Sequence, residues 1–182
     1  MAGVFNDSVL TRKGVALLAK AQAGRCTIAL TKAALGNGSY SSGEDLTQKT
    51  ALKSKRQEFS LTTVRVQNAT NVYVKFIATN NPPSGALNTG YYVKEIGLFA
   101  TDPDEGEILY AIATAVSGQE DFMPPYNDLL PATITFEFLA TVANAEETTI
   151  EAPNKMYLYD DATGDRYVLG VNNGLLYFEE DE

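Results

Sequence analysis

The spacing of hydrophobic and polar residues is helical in one early part of the chain. Thr11 is a favourable N-cap residue and Gly24 suits the position after a last helical turn, so the pattern predicts a helix over residues 11–23. Gly14 inside it costs about 1 kcal/mol relative to alanine, so we expect close packing there. The predicted apolar stripe follows helical spacing: Val15, Leu18, Ala19 and Gln22, broadened by Leu17 and Ala21.

After Gly24 the spacing of apolar residues changes to two, which is typical of strands. Residues 36–46, 80–90 and 122–131 are predicted to be loops or irregular, and residues 46–53 a short helix. One helix among several short strands indicates a mainly β fold, an antiparallel β-sandwich with one N-terminal α-helix. The predicted strands of this part are 26–30, 59–66, 72–78, 91–100, 108–116 and 132–142.

Pro153 separates a C-terminal segment with a pattern of its own. Strands at 156–159, 166–171 and 175–178, with turns between them, predict a small three-stranded β-meander. We therefore expect two domains, residues 1–152 and 153–182. About 30 residues cannot bury a core alone, so the meander is expected to pack on the main domain or on copies of itself.

Charge is distributed unevenly along the chain, whose net charge is −9. Residues 1–58 carry nine basic and four acidic side chains, a balance of +5, and residues 59–182 carry five basic and nineteen acidic ones, a balance of −14. An acidic chain argues against nucleic acid as a partner, because phosphate contacts need lysine and arginine. The asymmetry could let subunits meet basic end to acidic end, or it could be solvated surface charge.

Residues that are missing exclude several chemistries. The chain has no histidine and one cysteine, Cys26, so Ser-His-Asp triads, Cys-His pairs and Cys/His zinc sites are impossible. Cys26 is expected to be a small core residue. The acidic run 102–107 lacks the glycine and glutamate spacing of a calcium loop and is predicted to be a turn.

No enzymatic reaction is predicted for the chain. None of its 23 carboxylates stands out as half of a glycosidase pair, and no P-loop motif is present. We expect neither a cofactor nor a metal ion. The chain also has no apolar run of about 18 residues, so we do not expect it to insert into a membrane. It has no secretory signal over residues 1–10, so we expect it to fold in the cytoplasm.

Three blocks of sequence each carry a specific motif. Residues 10–24 begin with leucine–threonine, contain a helical glycine and end an alanine-rich helix in glycine. Residues 31–38 hold threonine–lysine followed by a leucine–glycine–x–glycine turn, and residues 90–111 hold a Glu-Ile-Gly-Leu-Phe-Ala strand, an Asp-Pro turn and an Ile-Leu-Tyr-Ala return. In this order, over about 150 residues, the blocks resemble the phage tail-collar fibre family.

The resemblance implies a function in a virus particle. Members form the N-terminal part of tail fibres in contractile phages and related bacteriocins, so residues 1–152 are expected to anchor a fibre to the baseplate or collar. The expected partners are other copies of the chain, as a homotrimer, baseplate or other tail proteins, and a longer tail fibre. The expected location is the virion tail, after assembly in the cytoplasm of the bacterial host.

Subunit or partner contacts are expected at two groups of residues, one on the helix and one in the meander. Tyrosine offers an amphipathic contact surface, so a receptor- or carbohydrate-binding tip is the alternative function, and an inter-subunit core is the alternative role of the tyrosines. The candidate residues are Leu18, Ala19, Gln22, Tyr157, Tyr159, Tyr167 and Tyr177.

Overall fold

A computed structural model describes residues 3–68, 71–141, 150–151, 156–159, 166–172 and 175–180. The chain divides into two compact units, Met1–Ala152 and Pro153–Glu182. Pro153, and all or part of the turns predicted at 68–71, 160–164 and 172–174, lie outside the described residues.

The first unit combines one α-helix with ten strands in the described ranges. Their bounds are β1 Val9–Leu10, α1 Arg12–Gln22, β2 Ile28–Gly36, a 3-10 turn Leu46–Gln48, β3 Lys55–Asn68, β4 Asn71–Thr79, β5 Tyr91–Val93, β6 Glu95–Asp102, β7 Gly106–Thr114, β8 Asp121–Met123, β9 Thr133–Thr141 and β10 Ile150–Glu151.

The helix α1 has the predicted N-cap, because the Gly14 N–H donates to the Thr11 hydroxyl at 3.0 Å. Its buried face, however, is rotated from the predicted stripe, and Val15 is 51% exposed. The close packing of Gly14 explains the rotation, since a Cβ added there would lie 2.1 Å from the Tyr110 carbonyl oxygen. The buried residues of the helix are Gly14, Leu17, Leu18 and Ala21.

The main sheet has the order β1-β7-β6-β2-β3-β4-β9, and β10 pairs in parallel with β2. All other pairings in it are antiparallel, including the hairpin of β3 and β4 and that of β6 and β7. The sheet curls until its two end strands, β1 and β9, approach each other. The Ser8 hydroxyl, next to β1, donates to the Leu139 carbonyl oxygen of β9 at 2.7 Å. The predicted mainly β, antiparallel architecture with a single helix is confirmed.

The curled sheet and α1 enclose one large core. Leu17 of α1, Leu30 of β2, Phe76 of β4 and Tyr110 of β7 are all buried in it. A smaller cluster around Leu52 lies where the segment between β2 and β3 covers the sheet, and Ala34 and Ile112 belong to it.

Four local predictions differ from the structure. The stretch 122–131, predicted to be irregular, begins within the strand β8. The first strand after the helix extends to Gly36 rather than ending at residue 30. The strand predicted over 91–100 is interrupted at Lys94, because β5 leaves the main sheet to pair with β8. The helix predicted over 46–53 is reduced to a 3-10 turn.

The second unit is an antiparallel three-stranded meander, as predicted. Its strands are β11 Met156–Tyr159, β12 Arg166–Asn172 and β13 Leu175–Glu180, in the order β11-β12-β13. Residues opposite each other share a face of a sheet, and the pairs Met156↔Leu169, Leu158↔Tyr167, Leu169↔Phe178 and Val171↔Leu176 therefore define one almost wholly apolar face.

Candidate functional site

The first motif block is bound to the strand that ends the third. The Thr11 N–H donates to the Tyr110 carbonyl oxygen at 3.0 Å, and the Thr11 hydroxyl donates to the Leu109 carbonyl oxygen at 2.5 Å. Gly14 packs against the same carbonyl of Tyr110. The leucine–threonine start and the helical glycine thus fix the helix to β7.

A buried carboxylate, Glu95, joins the second block to the third. Its side chain is fully buried and accepts hydrogen bonds from the N–H groups of Gly38 at 2.9 Å, Lys53 at 2.9 Å and Ser54 at 2.8 Å. The Tyr40 hydroxyl donates to it as well. Burial of the Tyr40 hydroxyl raises its pKa, and the hydrogen bond to Glu95 raises it further. These bonds fix the segment between β2 and β3 to β6.

The glycines of the second block have a steric reason. A Cβ added to Gly36 would lie 2.4 Å from Glu95 Oε1, and one added to Gly38 would lie 2.6 Å from it. Only glycine lets the backbone approach the carboxylate this closely. The sequence showed the turn but gave no indication that it wraps a buried glutamate.

The acidic run after β6 is a turn, as predicted. Asp102 is almost fully buried and accepts from the N–H groups of Asp104 at 2.8 Å and Glu105 at 3.1 Å. The Lys20 ammonium lies 2.7 Å from it and holds the pKa of the Asp102 carboxyl below its usual value. Within the ranges that the structure describes, no cluster of three Cys, Asp or Glu side chains could hold a metal ion.

The predicted contact residues of the helix are only partly available to a partner. Leu18 is 6% exposed and packs in the core of its own unit. Ala19 and Gln22 lie on the exposed side of α1. Of the three predicted contact residues of the helix, Ala19 and Gln22 are therefore the two that a partner could reach.

The four tyrosines of the second unit do not share one face. The register places Tyr157 and Tyr159 opposite Val168 and Arg166, on the face that also carries Tyr177. Tyr177 is 43% exposed. Tyr167 belongs to the opposite, apolar face and is half-buried.

Many basic side chains of residues 1–58 are paired within the first unit. Pairs between exposed side chains contribute little stability. Three of the pairs join Lys13, Lys20 and Lys32 to acidic side chains beyond residue 58, and these offset part of the basic excess of residues 1–58. The pairs are Lys13–Glu105, Lys20–Asp102, Lys32–Glu107, Lys49–Glu44, Lys53–Glu44 and Lys55–Glu58. In the described part of the chain, no helix has the length and hydropathy needed to cross a membrane.

These features define a mainly β domain in which the motif residues hold the fold together: Thr11 and Gly14 fix the helix, and Gly36, Gly38 and Glu95 fix the long connection. The family model described as phage tail-collar fibre protein, N-terminal, matches residues 1–161, and the chain belongs to this family. No curated protein and no solved structure matches the chain significantly. Membership identifies a structural tail fibre protein of a bacteriophage, a component of the virion tail.

Proposed function

We propose that the first unit anchors a tail fibre to the baseplate or collar of a contractile phage tail or a phage-tail-like particle. The observation that carries this proposal is the family match over residues 1–161. The structure supports it because the motif residues make contacts inside the domain. The outer surfaces of the sheet are left for contacts with other tail proteins. Assembly of the tail in the host cytoplasm is part of the proposal.

The second unit is proposed to join subunits into a homotrimer and to hold the next component, such as a longer fibre. Its apolar face needs a covering layer, and an isolated sheet of this size is marginal in water. Other copies of the same face would provide that layer. Ala19 and Gln22 on α1 are candidates for a second subunit contact. The apolar face comprises Met156, Leu158, Leu169, Val171, Leu176 and Phe178.

Light scattering on the purified full chain tests the trimer. Three copies of 19.7 kDa give an expected mass of 59.1 kDa. Leu169→Glu should lower the mass, because it places a charge at the centre of the apolar face. Val168→Glu on the opposite face is the matched control and should leave the mass unchanged. A mass near 19.7 kDa alone for the wild-type chain, under dilute low-salt conditions, contradicts the proposal.

A receptor- or carbohydrate-binding tip is the second candidate function. It is favoured by the face opposite the apolar one, where Leu175 is 74% and Tyr177 43% exposed. Aromatic rings with a polar end suit contacts with sugars and proteins. Binding of the intact particle to host cells that is lost with Tyr177→Ala, while Tyr167→Phe retains it, would support this role.

A further inference from the structure

One edge of the main sheet is open in the described part of the chain. β9 is the last strand of the sheet and pairs with β4 alone. The Asn80 N–H donates to the Ala132 carbonyl oxygen at 3.1 Å, so the even-numbered residues that continue from Ala132 into β9 face β4. Lys75 of β4 lies opposite Glu137, and its carbonyl oxygen accepts from the Thr62 hydroxyl of β3 at 2.9 Å. The backbone groups of Lys75 therefore face β3 and not β9.

Backbone groups of alternate residues in an edge strand face opposite sides. The N–H and C=O groups of Thr133, Thr135, Glu137 and Leu139 therefore face the open edge. The carbonyl of Leu139 is bonded there by the Ser8 hydroxyl at 2.7 Å, which agrees with this assignment. Among the described residues, no backbone group bonds to Thr135 or Glu137 on this side. Such a row of groups is a template for an added strand.

A groove of about 800 Å³ lies along this edge, where the curled sheet does not close. Phe5, Ile96 and Phe136 give it an apolar floor, and Thr135 and Glu137 belong to its wall. The rings of Phe5 and Phe136 are 6.0 Å apart and form an edge-to-face pair. A strand inserted here would find hydrogen-bonding groups and apolar surface side by side.

The rim of the groove is acidic. Three carboxylates, those of Asp7, Asp121 and Glu137, line it with one guanidinium, that of Arg65. The Glu137 carboxylate is paired with the Lys75 ammonium at 3.3 Å, so the acidic excess comes mainly from Asp7 and Asp121. The Arg65 guanidinium stacks over the Tyr73 ring at 4.6 Å, where it faces a neighbour on its own sheet. An incoming segment with basic side chains would complement this rim, whereas an acidic one would be repelled.

We propose that the open edge of β9 and its groove, which we call the seam, bind an extended segment of a partner protein as an added strand. Successive side chains of a strand point to opposite sides, so the segment would alternate apolar residues, directed at the floor, with basic residues at the rim. The free edge from Thr133 to Glu137 corresponds to about five residues of partner. This proposal rests on the attachment role proposed for the first unit and names the chemistry of the partner.

A second copy of this chain is a poorer occupant. Its C-terminal strand β13 ends in Glu179 and Glu180, which the acidic rim would repel. The alternating segment around Arg65 is already paired within β3. The favoured occupant is therefore a different, basic chain.

The probe for the seam is a fluorescein-labelled ten-residue peptide of alternating valine and lysine, and its binding to the full chain is measured by fluorescence anisotropy. Thr135→Pro should weaken binding at least tenfold, because proline removes an edge N–H and its ring blocks an added strand. Proline is compatible with an edge strand where the N–H faces solvent. Thr135→Val is the matched control and should bind like the wild type.

Two further comparisons separate strand addition from simple charge attraction. A peptide of the same charge with alternate backbone nitrogens methylated should bind at least tenfold more weakly, and a valine–glutamate peptide should not bind. If circular dichroism shows that Thr135→Pro perturbs the fold, Glu137→Lys is used instead. Glu137→Lys should weaken binding of the lysine peptide and strengthen binding of the glutamate peptide.

Several results would overturn the seam proposal. One is that the lysine peptide does not bind to the wild-type chain. Another is that Thr135→Pro and Thr135→Val bind it equally well, or that the methylated peptide binds as tightly as the unmethylated one. Where Glu137→Lys is used, unchanged binding by that variant has the same meaning. Loss of self-association in Thr135→Pro with unchanged peptide binding would assign the edge to a second copy and overturn it too. These outcomes leave the proposed function standing, since attachment is tested separately, by whether the chain is incorporated into tail particles.

Discussion

Glu95 shows how one buried charge can determine the conformation of a long connection. Three backbone N–H groups and the Tyr40 hydroxyl converge on a carboxylate that water cannot reach. A buried donor without an acceptor costs about 1 to 3 kcal/mol. The stability of the segment between β2 and β3 should therefore depend on this side chain.

We predict that Glu95→Ala lowers the free energy of unfolding by about 3 to 5 kcal/mol, because it leaves the buried Gly38 N–H and three partly buried donors without this acceptor. Urea denaturation measures the loss. Glu105→Gln is the control, since Glu105 forms an exposed pair with Lys13 and such pairs contribute about 0 to 1 kcal/mol. Equal stability of the two variants would contradict the role assigned to Glu95.

Tyr110 carries the opposite kind of group, a buried hydroxyl that has no hydrogen-bond partner among the described residues. Burial raises its pKa, so it stays neutral over the physiological range. We predict that Tyr110→Phe is neutral or stabilises the protein by up to about 1 kcal/mol, because it removes an unsatisfied polar atom.

A second tyrosine provides the matched comparison. The Tyr91 hydroxyl donates to the Gln57 side chain at 2.9 Å, so Tyr91→Phe should cost about 1 kcal/mol in the same urea titration. If Tyr110→Phe were the more damaging of the two changes, the hydroxyl of Tyr110 would have a partner that the structure does not reveal.

At the scale of elements, the helix was predicted correctly in extent and wrongly in orientation. Thr11 and Gly24 marked its ends, since capping is a local effect that a sequence displays. Its rotation depends on Gly14, which packs on a carbonyl of β7 almost 100 residues away. Apolar spacing alone could not show that Leu17 and Ala21 would be buried while Val15 would be exposed.

We predict that Gly14→Ala destabilises the protein by about 1 to 3 kcal/mol, although alanine is the better helix former. The new methyl group would meet the Tyr110 carbonyl oxygen, which belongs to a buried strand and cannot move aside. Thermal unfolding followed by circular dichroism measures the effect. Ala16→Gly, at an exposed position of α1, should cost only about 1 kcal/mol. A Gly14→Ala variant that melts at a higher temperature than the wild type would contradict this packing.

The hairpins were predictable for a different reason. β3 with β4, and β6 with β7, are neighbours in sequence with alternating residues and turn residues between them. The pairing of β2 with β6 and the burial of Glu95 depend on contacts across more than 40 residues, and nothing local in the sequence indicates them. A charged residue in an alternating strand would ordinarily be assigned to the exposed face.

At the scale of the molecule, the two units have different tasks in this account. The first belongs to the tail-collar fibre family and is proposed to attach to the tail. The second has an apolar face and an acidic end, which suit contacts with its own copies and with a following component. The resemblance predicted the class of protein from three motif blocks, whereas the open edge of β9 became visible only in the structure.

Deletion of residues 153–182 tests the division of labour most directly. Particles assembled with the truncated or the full chain are compared by electron microscopy and mass spectrometry, after circular dichroism has shown that the truncated chain is folded. We predict that the truncated chain is still incorporated, while the component beyond it is lost. A folded truncated chain that is absent from the particles would place attachment in the second unit and contradict the account.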